Sequence, residues 1–595
     1  MFVAVAGLVG VCGYAAMRWS VAVLSNSSRG LDASDESFYL VSVLHPRAAS
    51  GVVTEFGFYL GPLMALCAGS LARFRAAGIV LVWLASALVA VLAIPSSWGV
   101  RRTRSVARAM ATLLVGAVAL TTYVMWLTTP GYNLLVLLAT MVVAGLAGSL
   151  VLQSAVRAEG SAAVPPSKGD RRETVTVVAL VALLVPGAGT KGPAFAAVGV
   201  LALVVVLLAS QARRLPVRVV AGAGIGLLVH VAFVGSPFAD ARRLSRGLHA
   251  YRLLNAYSSA SVWETAALRS DYWPWMLRLL AGVLVLVLVW RRERRPLARV
   301  VITGLGAISS VGWLLRGAPS GGGQTFPSNA GWWWVRLTAL TLLWLTANAP
   351  RPTRLLAGGP LIALMAVGAT LGTNNGFVRQ VSLTAGVLSI GVLVQAILVV
   401  GPQGRAGSSH GTDDESLVRA LRMVPLLAFF AVAGIVSSRL VDDAVQTPYR
   451  LGGPVSASTV PVHLDRLGVI RVAADTASYV TALQALRAAI PDDARDCLVD
   501  LSGGTPLSAL ALGMRPAGYQ WILGAYPGSN AMAAALLSGV RCLEGSFVLI
   551  EAPGGERAVA RPSRLRTDGA VLLGTVRFDG YLHETQQVWL VGASR

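Results

Sequence analysis

Apolar runs close to the roughly 20 residues that a helix needs to cross a bilayer recur along this chain from residue 4 to about residue 439. No soluble fold buries so many of them, which narrows the chain to a polytopic α-helical membrane protein. The expected spans are 4–24, 76–96, 109–128, 133–155, 173–189, 195–210, 217–234, 273–290, 298–315, 331–347, 354–371, 380–400 and 422–439, about 13 in all. Charge is scarce as well. Only 13% of the 595 residues are charged, too few to coat the several soluble domains such a length would otherwise suggest.

The formal charge of +22 does not point to nucleic acid, because the arginines gather in short loops between apolar runs. Four groups mark the cytoplasmic side: Arg291, Arg292, Arg294 and Arg295; Arg101, Arg102, Arg104 and Arg108; Lys168, Arg171 and Arg172; Arg213, Arg214 and Arg218. An odd number of spans then leaves the end of the chain outside. Abundant Ala, Gly, Val and Arg fit a GC-rich bacterial genome such as an actinobacterium's, so a bacterial plasma membrane is expected. Residues 1–24 lack a basic n-region and a convincing cleavage site, so no cleaved signal peptide is expected. One apolar segment, 52–70, would invert every later loop if it crossed. Its Glu55, Gly57, Gly61, Pro62 and aromatics suit a helix lying at headgroup level on the outer face. Arg73 and Arg75 then stand at the outer start of the next span.

From residue 441 the texture changes. Short runs such as VIRVAA, CLVDLS, FVLIEA, AVLLGTVRF and QVWLV alternate with helical stretches at 475–490 and 530–540. This reads as a small α/β domain over 441–595, following a transmembrane domain over 1–440. If that domain is extracytoplasmic, Cys497 and Cys542 could close a disulfide. No GxGxxG fingerprint or P-loop opens a helix there, and no metal cluster is expected. Tyr519, Trp521 and Tyr526 could stack on sugars or fill a core.

The first outer loop carries Asp32, Asp35 and Glu36, followed by Phe38 and Tyr39. A carboxylate at a membrane rim can serve as general base to a hydroxyl, and an acidic neighbour can raise its pKa or orient it. A solvated acidic loop tip is the plainer alternative. Gly189-Thr190-Lys191-Gly192 sets one of only two lysines beside glycines, where it can approach a phosphate or snorkel to headgroups. Asn374 and Asn375, in a second glycine-flanked turn, can hold sugar hydroxyls or merely turn the chain. Arg242 and Arg243 belong to an outer-face group of arginines over 235–272, suited to lipid phosphate or to anionic headgroups.

The order of first span, Asp35-Glu36 with aromatics, interfacial helix and Arg at the next span resembles the GT-C glycosyltransferases. Within them it is similar to the protein O-mannosyltransferase and lipid A aminoarabinose transferase branch, in which a Thr-Lys-Gly-Pro turn like Thr190-Lys191-Gly192-Pro193 also occurs. The resemblance implies an inverting transfer from a polyprenyl-phosphate-linked sugar to a hydroxyl of an extracytoplasmic acceptor, either a cell-envelope glycan, a lipid-linked glycan or a protein. Asp35 would be the base and Glu36 its companion. Lys191, Arg73, Arg75, Arg242 and Arg243 would meet the donor phosphate, and Asp32, Tyr39, Glu55, Asn374 and Asn375 would line the sugar and acceptor sites. Gly61 stands where the aminoarabinose branch tends to carry a charged residue before the interfacial-helix proline, which shifts weight to Lys191 and the 235–272 arginines. The donor is the expected substrate, with no further cofactor; membrane lipids are partners and nucleic acid is not. Two other readings stay open. A lipid-linked glycan polymerase or ligase with a pyrophosphate donor would favour the Arg-rich 235–272 loop. A flippase or transporter should carry more ionisable residues within its spans than Arg18, His230, Arg278 and Arg336.

Overall fold

The computed structural model describes residues 2–48, 51, 53–94, 101–158, 166–210, 215–254, 328–347, 349, 354–372, 380–400, 413–580 and 582–592. The apolar runs are helical there, as they must be where lipid offers the backbone no hydrogen bond. Among the described residues, nine helices are long and apolar enough to cross a membrane. They are Val5–Ser25, Leu71–Ala93, Arg101–Tyr123, Tyr132–Ala158, Arg171–Thr190, Gly192–Ala209, Leu215–Phe233, Val381–Val400 and Met423–Gln446, each on an expected span. The expected 331–347 falls in the helix Ser328–Ala347, and 354–371 holds a shorter apolar helix, Arg354–Gly368, whose first turn is 3-10. Spans 273–290 and 298–315 lie outside the described residues.

Four N-terminal helices frame the first loop: α1 (Phe2–Ser25), α2 (Asp35–Leu44), α3 (Phe56–Leu66) and α4 (Leu71–Ala93). At 11 residues α3 is about 16 Å long, half the ~30 Å hydrocarbon thickness. It lies directly on α2, because a Cβ on Gly57 would sit 2.1 Å from the Ser42 carbonyl oxygen. Where α4 begins, the Leu71 amide donates to Leu467 O of the C-terminal domain at 3.0 Å. The start of α4 therefore shares a face with that domain, and α2 and α3 stay on that face rather than crossing. At the other end of the bundle, buried Glu173 receives Arg218 at 2.6 Å and Arg157 at 2.7 Å.

The last membrane helix belongs to Asp413–Gln446 and runs past residue 440. The helix passes through Pro425 and ends before Thr447-Pro448. The C-terminal domain then forms a hairpin of β1 (Val460–Leu464) and β2 (Gly468–Val472). Strands β3 (Leu498–Asp500), β4 (Phe547–Glu551), β5 (Val571–Phe578) and β6 (Glu584–Val591) make a second sheet ordered β3-β4-β6-β5. Its β3–β4 pair is parallel and the others antiparallel. Helices Ala474–Arg487 and Ser529–Leu537 complete the domain, and Cys497 is joined to Cys542. Two stitches fix it to the first loop. Arg471 exchanges backbone bonds with Ser28 and Gly30 at 2.8 and 2.9 Å, and the Thr505 hydroxyl donates to Ala33 O.

Candidate functional site

The three carboxylates of the first loop are treated very differently by their surroundings. Asp32 is buried and caps α2, accepting from the amides of Ser34 (3.1 Å), Asp35 (2.6 Å) and Glu36 (3.2 Å) and from the Ser34 hydroxyl. A carboxylate there completes the open amides of the helix start and complements its dipole. Burial, helped by the charge of Asp35, pushes Asp32 up to about 7. Glu36 is buried too. It accepts from Arg75 Nη2 at 3.0 Å, the Thr129 amide at 2.8 Å and the Asp32 amide at 3.1 Å. Arg75 in turn spends its whole guanidinium inside the protein, on Glu36, Thr129 Oγ1 and the carbonyls of Ser27, Arg29 and Gly30. Arg75 was expected to meet a lipid phosphate. Its donors are instead all engaged, because the turning loop presents carbonyls that only a buried cation can satisfy.

Asp35 is the exception. Its side chain is 26% exposed, and among the described residues its one ion pair is with Arg450 Nη1 at 3.7 Å. Burial raises the Asp35 carboxyl, and Arg450 pulls it back. Arg450 follows the last membrane helix, donates to the Ser34 hydroxyl at 2.7 Å and lies over the Tyr449 ring at 4.5 Å. Below Asp35 on α2, Tyr39 packs edge-on to Phe56 and Tyr132, with centroids 5.7 and 5.4 Å away, and its hydroxyl accepts from Asn133 Nδ2 at 3.2 Å.

A second cluster forms where α3 begins. Glu55 Oε1 accepts from Arg243 Nη2 at 2.9 Å, Arg243 also bridges to Asp240, and His230 Nε2 lies 3.1 Å from Asp240 Oδ2. The other nitrogen of His230 meets the Tyr59 hydroxyl at 2.9 Å. Glu55 Oε2 is buried with no hydrogen-bond partner among the described residues. Burial, with Asp240 beside it, pushes Glu55 up to about 8. Asp240 stays low: burial would raise it, but hydrogen bonds with Glu55 and Arg243 outweigh that. Glu55, His230 and Asp240 set ligand atoms within 4.8 Å of one another, as a metal ion would need. A cation there would first have to displace Arg243.

The glycine turn serves this cluster. Gly189 O accepts from the Glu55 amide at 2.8 Å, Thr190 O accepts from Thr54 Oγ1 at 2.6 Å, and a Cβ on Gly189 would lie 2.7 Å from Glu55 Oε2. Lys191 is buried, with Nζ donating at 3.3 Å to the carbonyls of Ala369 and Thr370 and at 3.4 Å to Gln380 Oε1. Its ammonium also stands 5.8 Å from the Tyr132 ring, which touches Tyr39. Arg73 and Arg242 are exposed, and Asn374 and Asn375 lie outside the described residues.

The structure thus brings Asp32, Asp35, Glu36, Tyr39 and Arg75 together, and separately Glu55 with Arg243. Arg450, His230, Asp240, Gln380 and Thr505 were not foreseen as site residues. His230 left a signal as an ionisable residue within a span, and Arg450 as a cation shortly past the last span. No protein-family model matches the sequence, and no curated protein matches it. Among solved structures the chain is similar to the archaeal oligosaccharyltransferase AglB from Archaeoglobus fulgidus, in complex with an inhibitory peptide and a dolichol-phosphate. The identity is 12% and the TM-score 0.41, over 91% of this chain and 69% of that one. A likeness that distant assigns neither fold nor activity.

Proposed function

We propose that this multi-pass protein is a GT-C-type glycosyltransferase that moves a sugar from a polyprenyl-phosphate donor to an acceptor hydroxyl, with Asp35 as general base. One observation carries the reading. Of the three carboxylates in the first loop, Asp35 alone keeps an accessible carboxylate, while Asp32 and Glu36 are consumed in holding the loop. In the reaction Asp35 accepts the proton of the acceptor hydroxyl, whose oxygen attacks the anomeric carbon. The bond from that carbon to the phosphate oxygen breaks, and the lipid phosphate leaves with the electron pair, inverting the anomeric centre.

Lys191 is the cation best suited to the departing charge. Its three contacts are long, 3.3–3.4 Å, and such bonds exchange readily for charge-assisted ones to phosphate oxygens. The face carrying the site is extracytoplasmic in this reading. What supports this is the Cys497–Cys542 disulfide on that face and the arginines Arg101 and Arg102 exposed on the other. The acceptor is a cell-envelope glycan, lipid-linked glycan or protein. The test is Asp35→Asn, assayed for sugar transfer from a synthetic polyprenyl-phosphate sugar. Transfer should be lost while donor binding persists; more than about a tenth of the wild-type rate would overturn the assignment, since loss of a general base typically costs about 10²-fold or more.

A further inference from the structure

A cleft opens in the C-terminal domain between β3, the 503–509 turn and residues 516–522. Its empty space is ≈ 320 Å³ with the open mouth included, and its closed end admits only a water-sized group. Asp500, Thr505, Ser508 and Gln520 supply polar atoms to it, and Tyr519 and Trp521 supply a ring wall. Asp500 is held in place by the amide and hydroxyl of Ser502, at 2.9 and 2.6 Å, and by the Ser508 hydroxyl. Trp521 is different: its Nε1–H is buried and has no acceptor among the described residues. A buried indole N–H ordinarily finds one.

The cleft adjoins the acid loop. Thr505, in its wall, donates to Ala33 O, two residues before Asp35. The rings of Tyr519 and Trp521 each lie 6.3 Å from Phe38 of α2. A peptide would seek a free strand edge, and the outer edge of β3 is already occupied: Leu498 bonds to Arg515 O at 2.9 Å and to the Ala517 amide at 2.7 Å. A closed end that takes a single hydroxyl, a carboxylate and an amide around it, and aromatic rings at the side match a sugar.

We propose that this cleft is a carbohydrate subsite for the acceptor, with a sugar ring at its mouth against Trp521 and one hydroxyl inserted into the closed end. The inserted oxygen accepts from Trp521 Nε1–H and donates to Asp500 or Gln520. The proposal rests on the reading of Asp35 as the base of a transfer to an acceptor hydroxyl, and it names that acceptor's chemical class.

The full-length protein in detergent is tested on an array of neutral oligosaccharides and a parallel array of peptides. Wild type should retain oligosaccharides. Trp521→Phe keeps the ring and removes the N–H; it and Gln520→Ala should each weaken retention about five- to tenfold, the loss of one hydrogen bond in a dry site. The KM for an oligosaccharide acceptor should rise by a similar factor. Retention of peptides alone, no retention at all, or wild-type retention by both variants overturns the subsite. Asp35→Asn separates the two claims, since it should bind the same oligosaccharides as wild type. If Asp35→Asn still transfers sugar, the base assignment fails and the binding result stands. If Asp35→Asn is dead while both cleft variants bind normally, the cleft fails and the base stands.

Discussion

The two acidic clusters of this protein sit on the same face of the membrane and are built from the same residue types, yet they end in opposite states. In the first loop the demands of folding are divided: Asp32 caps a helix, Glu36 answers Arg75, and Asp35 is left with a half-open carboxylate beside Arg450. At the start of α3 no such division occurs. Glu55, His230, Asp240 and Arg243 answer one another, and nothing in the group faces open space beyond a narrow rim. Glu55 Oε2 is left without a hydrogen-bond partner among the described residues but is buried. An acidic cluster is therefore a site for chemistry only when its hydrogen bonds leave over a carboxylate that a substrate can reach. Counting donors and acceptors together with exposure separates the two cases where composition does not.

The sharpest way to break this comparison is to neutralise one carboxylate in each cluster. Asp35→Asn should cost about 10²-fold or more in transfer, whereas Glu55→Gln, which near neutral pH removes little charge, should cost less than about tenfold. Equal losses in the initial rate would mean the α3 cluster takes part in the reaction. A second contrast concerns arginines two residues apart. Arg75→Gln strips a partner from buried Glu36 and from a set of carbonyls, so unfolding should become easier by about 3–5 kcal/mol. Exposed Arg73→Gln should shift stability by less than about 0.5 kcal/mol. Denaturant titration in detergent reads both, and a stable Arg75→Gln protein would free Arg75 for the phosphate role that the sequence suggested.

Much of this was legible before the structure. Nine of the expected spans, the shift to an α/β texture and five of the strand segments followed from periodicity and turn residues, which report local backbone demand. That 52–70 holds only a short helix fits the reading drawn from the positions of the arginines. The roles of Arg75 and Asp32 were not. Both look like exposed polar residues at a rim, and only the folded loop shows that its carbonyls and amides need them. Lys191 shows the same limit. Its glycine neighbours suggested room for a phosphate, whereas Gly189 is small to make room for Glu55.

Lys191 gives the next test. If the lysine exchanges its carbonyl partners for the donor phosphate, Lys191→Ala should raise the donor KM and lower transfer about tenfold, with the acceptor KM nearly constant. A change in stability alone, with unaltered kinetics, would leave Lys191 as a cation that satisfies the carbonyls of Ala369 and Thr370 and nothing more.

The smallest expected effect is also the most specific to the first cluster. Asp35 works as a base only when ionised, so transfer falls as pH drops through its pKa. Burial raises that pKa, and the positive charge of Arg450, 3.7 Å away, lowers it. Arg450→Gln keeps a polar group near Ser34 and removes the positive charge, so the Asp35 pKa should rise and the acid limb of the pH–rate profile should move to higher pH. At a pH above both limbs the variant and wild type should differ little. A purely structural Arg450 would instead lower the rate by one factor at every pH, with the limb unmoved. A shift toward lower pH would be the wrong sign for a cation that stabilises the carboxylate, and Asp35 would no longer be the group whose ionisation the profile reports.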